Sequence, residues 1–158
     1  MNFSTLFPTT RHGAHAARHA AERWLTGHLS ADDPRDGNLA VVAALLIAEL
    51  SANAALHGRV RGRAARLDLY LDATELRVEV TDARGDRLPA AQHADGDSES
   101  GRGLLLIETL SDDWGVRPHH PGGKTVWAVC RRSGPSRQNR NPNSPPSSKV
   151  SLRRGSIR

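Results

Sequence analysis

Apolar and polar positions change period along the chain, and each change marks an element. From Thr10 to Leu29 the apolar residues Ala17, Ala20, Ala21, Trp24 and Leu25 recur at helical spacing among Arg, His and Glu, which predicts an amphipathic helix. The polar stretch SADDPRDGN supplies turn and cap residues, and Leu39 to His57 then predicts a second helix, apolar on nearly every side and ended by Gly58 as a left-handed cap. The period shortens to two in Leu67-Leu69-Leu71 and Leu76-Val78-Val80, on either side of Asp72-Ala73-Thr74. That is the pattern of an antiparallel hairpin with one buried face.

Periodicity then disappears. Ala83 to Ser100 is rich in turn formers and predicts a loop of unusual length, of the kind that commonly forms a lid or a binding loop. Gly101 to Leu110 predicts a short helix, and strands follow around Trp114 to Val116 and from Thr125 to Cys130. This order predicts an α+β fold, a two-layer sandwich with helices on one face of a mostly antiparallel sheet. Residues 133 to 158 are Pro, Ser, Asn and Arg with little to bury, and predict a disordered tail behind a single domain spanning 1 to 132.

Charge changes this picture only at one end. The net charge of +5 suggests a polyanion binder until the residues are placed. Six of the basic residues, from Arg137 to Arg158, lie in the tail with no acidic residue among them, so the domain itself is close to neutral. Dispersed charges without interleaved aromatics give at most a weak, salt-sensitive, sequence-blind attraction, so nucleic acid is not the expected partner. A single cysteine, Cys130, forms no intramolecular disulfide, and no stretch approaches 18 uninterrupted apolar residues. The expectation is a soluble, cytoplasmic protein that neither enters a membrane nor is exported.

Candidate chemistry starts in ELSANAALHG. Glu49, Asn53 and His57 are spaced by four and project from one face of the second helix, where a carboxylate on so apolar a helix needs a cation, a donor network or a wet pocket. Glutamate can act as a general base, and an asparagine oxygen is a hard ligand of the kind Mg²⁺ accepts beside phosphates. The plainer reading pairs Glu49 with a surface arginine. Asp82 ends the second hairpin strand, where aspartate is ordinarily a turn former. Gly101, Arg102 and Gly103 open a helix whose free N–H groups and positive end suit a phosphate. Two tempting motifs fail. GGKT at 122 to 125 lacks the earlier glycine of a P-loop, with Pro118 standing there, and His12, His15 and His19 read as a solvated helix face lacking a carboxylate or cysteine partner.

In this order, ELSANAALHG, LRVEVTDARGDRLP, ESGRGLLLIETLSDDWGV and GGKTVWAV resemble the GHKL (Bergerat-fold) family of ATP-binding domains, over roughly residues 5 to 131. The chain is most similar to its RsbW-like branch, the anti-sigma-factor serine/threonine kinases of actinobacteria. The resemblance implies ATP and Mg²⁺ as cofactors. It makes Glu49 the residue that polarises the attacking hydroxyl, Asn53 the Mg²⁺ ligand, and His57 a support of the pocket. Asp82 matches the reader of the adenine amine, and Thr125 the hydroxyl that backs it through water. Gly101, Arg102, Gly103 and Leu104 match the turn that cradles the phosphates. Two and four residues after Asp82 the family usually has glycines; here stand Arg84 and Asp86, with Gly85 between them. The partners implied are a STAS-domain anti-anti-sigma substrate, a sigma factor and a second copy of the chain. A non-catalytic, purely sequestering module of the same fold is the alternative, favoured by Arg84 and Asp86 and opposed by Glu49 and Asn53.

Overall fold

The computed structural model describes residues 1–86 and 99–132, with the side chains of 99–102 left out. The inner part of the predicted long loop and the whole predicted tail lie outside the described residues. The elements are β1 (Asn2–Pro8), α1 (Arg11–Thr26), α2 (Pro34–His57), β2 (Ala64–Leu71), β3 (Glu75–Asp82), α3 (Glu99–Leu110), β4 (Asp113–His119) and β5 (Gly123–Arg131). The five strands form one antiparallel sheet in the order β1-β2-β3-β5-β4, and the helices cover one face, as the change of period predicts.

Local chemistry sets the boundaries. Thr10 caps α1, its Oγ1 accepting from the Gly13 N–H at 3.0 Å. Asp33 caps α2, accepting from the Arg35 N–H at 2.9 Å, and Pro34 takes the first helical position, where its missing N–H costs nothing. The helix therefore starts five residues before Leu39, inside the stretch read as a turn. In its first turn Asp36 is nearly fully buried. The Arg132 guanidinium, at 2.8 and 2.6 Å, and the Ser30 N–H hold its carboxyl below the usual carboxylate range. The end of β5 is thus tied to the start of α2.

Strand β1 is the element the sequence reading lacked. Its residues pair in register with β2 from Asn2↔Tyr70 to Pro8↔Ala64, so that Phe7 enters the core and Phe3 lies against Trp24 of α1, while Leu6 points outward with 70% exposure. In the hairpin, Asp72 Oδ1 accepts from the Thr74 N–H at 2.7 Å and the Glu75 N–H at 2.9 Å, which fixes the turn between β2 and β3.

The core lies between α2 and the helix-facing rows of the sheet. Leu46, Ile47 and Leu50 meet Leu67, Leu69, Leu76, Val78 and Val80, all at most 2% exposed. By length and composition α2 matches a membrane span, with mean hydropathy 2.0 over its most apolar 18 residues; one side of it is buried against the sheet and α1, while Val41, Leu45 and Leu56 stay exposed. Ile47→Val, which removes one methylene from this layer, should lower the unfolding free energy by about 1 kcal/mol in urea denaturation without changing the m-value. Cys130 belongs to the same layer. Burial, with Asp112 nearby, pushes its thiol up to about 12, so it is inert at neutral pH.

The other face of the sheet carries no helix among the described residues. Burial there raises the carboxyl of Glu79, but hydrogen bonds from Arg77 and Arg117 outweigh it and hold the group below its ordinary range. Arg77 also lies 4.3 Å above the Trp127 ring, and Thr81 and Thr125 share a buried hydroxyl contact at 2.8 Å.

Candidate nucleotide site

Alternation decides which side chains reach the helices. The row Leu76, Val78, Val80 faces α2, so Asp82 ends that row, and its register partner Lys124 ends the matching row Val126, Ala128, Cys130. Both side chains are about 95% buried and form an ion pair: Lys124 Nζ lies 3.0 Å from Asp82 Oδ1 and 2.9 Å from Oδ2, and donates to the Arg84 carbonyl at 2.7 Å. Asp82 Oδ1 also accepts from the Arg84 N–H at 2.8 Å.

Gly58 brings α2 onto this pair. It is not a left-handed cap: its φ is −90°. A Cβ there would lie 2.6 Å from both Cβ and Cγ of Asp82 and 2.7 Å from the Ala54 carbonyl, so glycine is needed for close approach rather than for backbone twist.

The opposite end of the site is set by α3. Leu104 and Ile107 are buried in the core at 3% and 0% exposure, and they seat the helix so that Gly103 faces α2. A Cβ on Gly103 would lie 2.8 Å from Glu49 Oε2 and 3.8 Å from Asn53 Oδ1. Glu49, Asn53 and Gly103 are therefore brought together, whereas Leu104 serves as a core anchor. Glu49 and Asn53 are half-buried, and neither has a hydrogen bond or ion pair among the described residues. Among the described residues no arginine pairs with Glu49, the side chain of neighbouring Arg102 lying outside them. His57 is half-buried in the last turn of α2, between Asn53 and Gly58. Gly101 and Arg102 lie in the first turn of α3, with their side chains outside the description.

Between the two ends, the turn after β3 is locked to β5. The Gly85 N–H donates to the Gly122 carbonyl at 2.8 Å, and a Cβ on Gly85 would come within 2.7 Å of the Gly123 carbonyl. Arg84 and Asp86, at the positions where the resemblance implies glycines, bond to each other, Arg84 Nη2 lying 3.0 Å from Asp86 Oδ2.

One predicted residue falls elsewhere. Thr125 is paired with Thr81 and bonded to it on the face of the sheet away from Asp82, so its hydroxyl does not back Asp82; Lys124 occupies that place. Sequence reasoning missed Lys124 and the contact role of Gly58. The register could have found Lys124, since counting back along an alternating strand puts one residue of each neighbouring pair on each face. GGKT forms the β4–β5 turn and the start of β5, with Gly122 at φ +88°, and no P-loop. On α1, His15 and His19 are exposed with Nε2 atoms 3.2 Å apart; among the described residues no group of three or more metal-binding side chains is assembled.

A family model described as the histidine kinase-like ATPase domain matches residues 7–130. The chain belongs to that family. Membership in this ATPase family implies nucleotide binding, and the helices-on-one-face sheet is its architecture. A chain in the crystal structure of the SiaB–SiaC complex from Pseudomonas aeruginosa has the same fold as this ATPase-family domain. It is similar at a TM-score of 0.56 and 16% identity over 80% of this chain and 88% of that one. No curated protein sequence matches the chain.

Proposed function

We propose that this domain is an ATP-dependent serine/threonine kinase of the anti-sigma type, which phosphorylates a STAS-domain anti-anti-sigma protein and otherwise holds a sigma factor in the cytoplasm as a homodimer. The observation that carries the reading is Glu49, without an ion pair among the described residues, set one turn from Asn53 against the Gly103 backbone. From Glu49 to Gly58 the edge of α2 runs about 14 Å. That is long enough to lay phosphates against α3 and a base against Asp82.

The chain's own groups suit the chemistry. The first turn of α3 offers free N–H groups and positive potential to the phosphates. A glycine at 103 leaves room there that a Cβ would fill, and Asn53 Oδ1 borders that room. This fits Mg²⁺, which takes one or two protein oxygens and fills its shell with phosphate and water; bound there, it would neutralise charge on the phosphates. Glu49, free of any cation among the described residues, accepts the proton of an incoming serine hydroxyl. A phosphate added to the partner's serine introduces charge into the docking surface and releases that partner. The SiaB–SiaC structure holds a chain of this fold in a complex with another protein, which supports action through a protein partner.

ATP with Mg²⁺ should raise the melting temperature of the native chain, and Asn53→Ala should abolish the Mg²⁺-dependent part of that rise. Differential scanning fluorimetry at millimolar nucleotide checks both, and no rise with the native chain would sink the nucleotide assignment. A second reading, a sequestering module without transfer, is favoured by the Arg84–Asp86 pair standing where the family has glycines. Phosphate transfer to a STAS partner separates the two.

A further inference from the structure

We propose that Lys124 is the second base-reading residue of this site: while Asp82 accepts from the adenine N6 amine, the Lys124 ammonium donates to the adjacent ring nitrogen N1. The proposal rests on the nucleotide reading above and makes Lys124 a specificity-determining residue within it.

Counting donors and acceptors leads here. An ionised carboxylate has about four acceptor positions. Among the described residues Oδ1 accepts from Lys124 and from the Arg84 N–H, while Oδ2 lies within ion-pair distance of Lys124 and keeps acceptor capacity. Lysine has three N–H donors. One goes to the Arg84 carbonyl and a second to Asp82 Oδ1, with Oδ2 held at 2.9 Å by charge. One donor is left. The pair therefore presents one acceptor beside one donor to whatever enters, and an amine next to a ring nitrogen is the complement of that edge. Guanine in the same orientation presents a carbonyl to Asp82 and an N–H to Lys124, opposing both.

Burial and charge support the same role. A lone carboxylate about 95% buried would face a neutral heterocycle at a heavy desolvation cost, whereas the Asp82–Lys124 pair is neutral and already dry. The geometry also fixes the pair from both sides. Gly58 packs against the Asp82 carbon chain, and the Arg84 carbonyl, held by the Gly85–Gly122 hydrogen bond, anchors the ammonium. Thr125 offers no competing hydroxyl, being bonded to Thr81 on the far face.

The test compares ATP with 1-deaza-ATP, in which N1 is replaced by C–H, by calorimetric titration of the full chain with Mg²⁺. The native chain should bind 1-deaza-ATP about tenfold more weakly than ATP, the worth of one charge-assisted hydrogen bond. Lys124→Met, shown to be folded by its melting transition, should bind the two alike. A residue that merely braces the fold would not discriminate one ring nitrogen. Equal affinity of the native chain for both ligands overturns the proposal while leaving the nucleotide reading intact; no binding of ATP by the native chain overturns that reading and this one with it. Persistence of the tenfold preference in Lys124→Met also overturns it. The native comparison decides by itself if the variant does not fold.

Discussion

Glu49→Gln should leave ATP-induced thermal stabilisation intact while phosphate transfer to a STAS partner falls about 10²–10⁴-fold, the usual contribution of a general base. The substitution keeps the shape and removes the charge, so the packing against Gly103 survives. The reason to expect so large an effect is the environment: Glu49 is half-buried, aligned with Asn53 on one edge of α2, and without a cation among the described residues to compete for its proton-accepting oxygens. Single-turnover transfer with radiolabelled ATP, beside a fluorimetric melt, checks both halves. Equal transfer by the two proteins would reject Glu49 as the base. Loss of stabilisation together with transfer would instead make it a binding residue.

Gly58→Val is the second large effect. The added side chain would meet Asp82 Cβ and Cγ at 2.6 Å and the Ala54 carbonyl at 2.7 Å, neither of which is the far end of a flexible chain. Either the end of α2 lifts from the sheet or Asp82 leaves Lys124. Overpacking of this kind should cost about 3 kcal/mol in urea unfolding. It should also remove the ATP-induced rise in melting temperature, because both routes break the base end of the site. A variant that is destabilised yet still stabilised fully by ATP would place the base away from Asp82.

The parts of the fold that could be read from sequence are those whose signal is local. α1 and α2 follow from helical spacing, and the β2–β3 hairpin from two alternating runs around Asp72. β1 was hidden because its strand character comes from pairing with β2. Read alone, Phe3, Leu6, Phe7 and Pro8 give no clean alternation, since Leu6 is apolar yet faces outward. The start of α2 was misplaced for a different reason. Asp33-Pro34 is a strong N-terminal signature, but its polar first turn looks like a loop until Asp36 is seen buried against Arg132. At the site, Glu49 and Asn53 were legible from spacing, and the structure sets both beside Gly103. The residue beside Asp82 differs by one from what the resemblance implies: it puts a hydroxyl at 125, whereas the register puts position 124 on the shared face.

The apolarity of α2 also bears on how the chain reaches its native state. The strands packed against this helix, β2, β3 and β5, all come later in the sequence, and its central partner β3 is completed only when β5 pairs with it, as Val80 does with Val126. A chain emerging in order would therefore carry a long, uncovered greasy segment until its last strand is made. Truncations ending before Gly123 would leave that segment without its cover, and they belong among the insoluble products of expression.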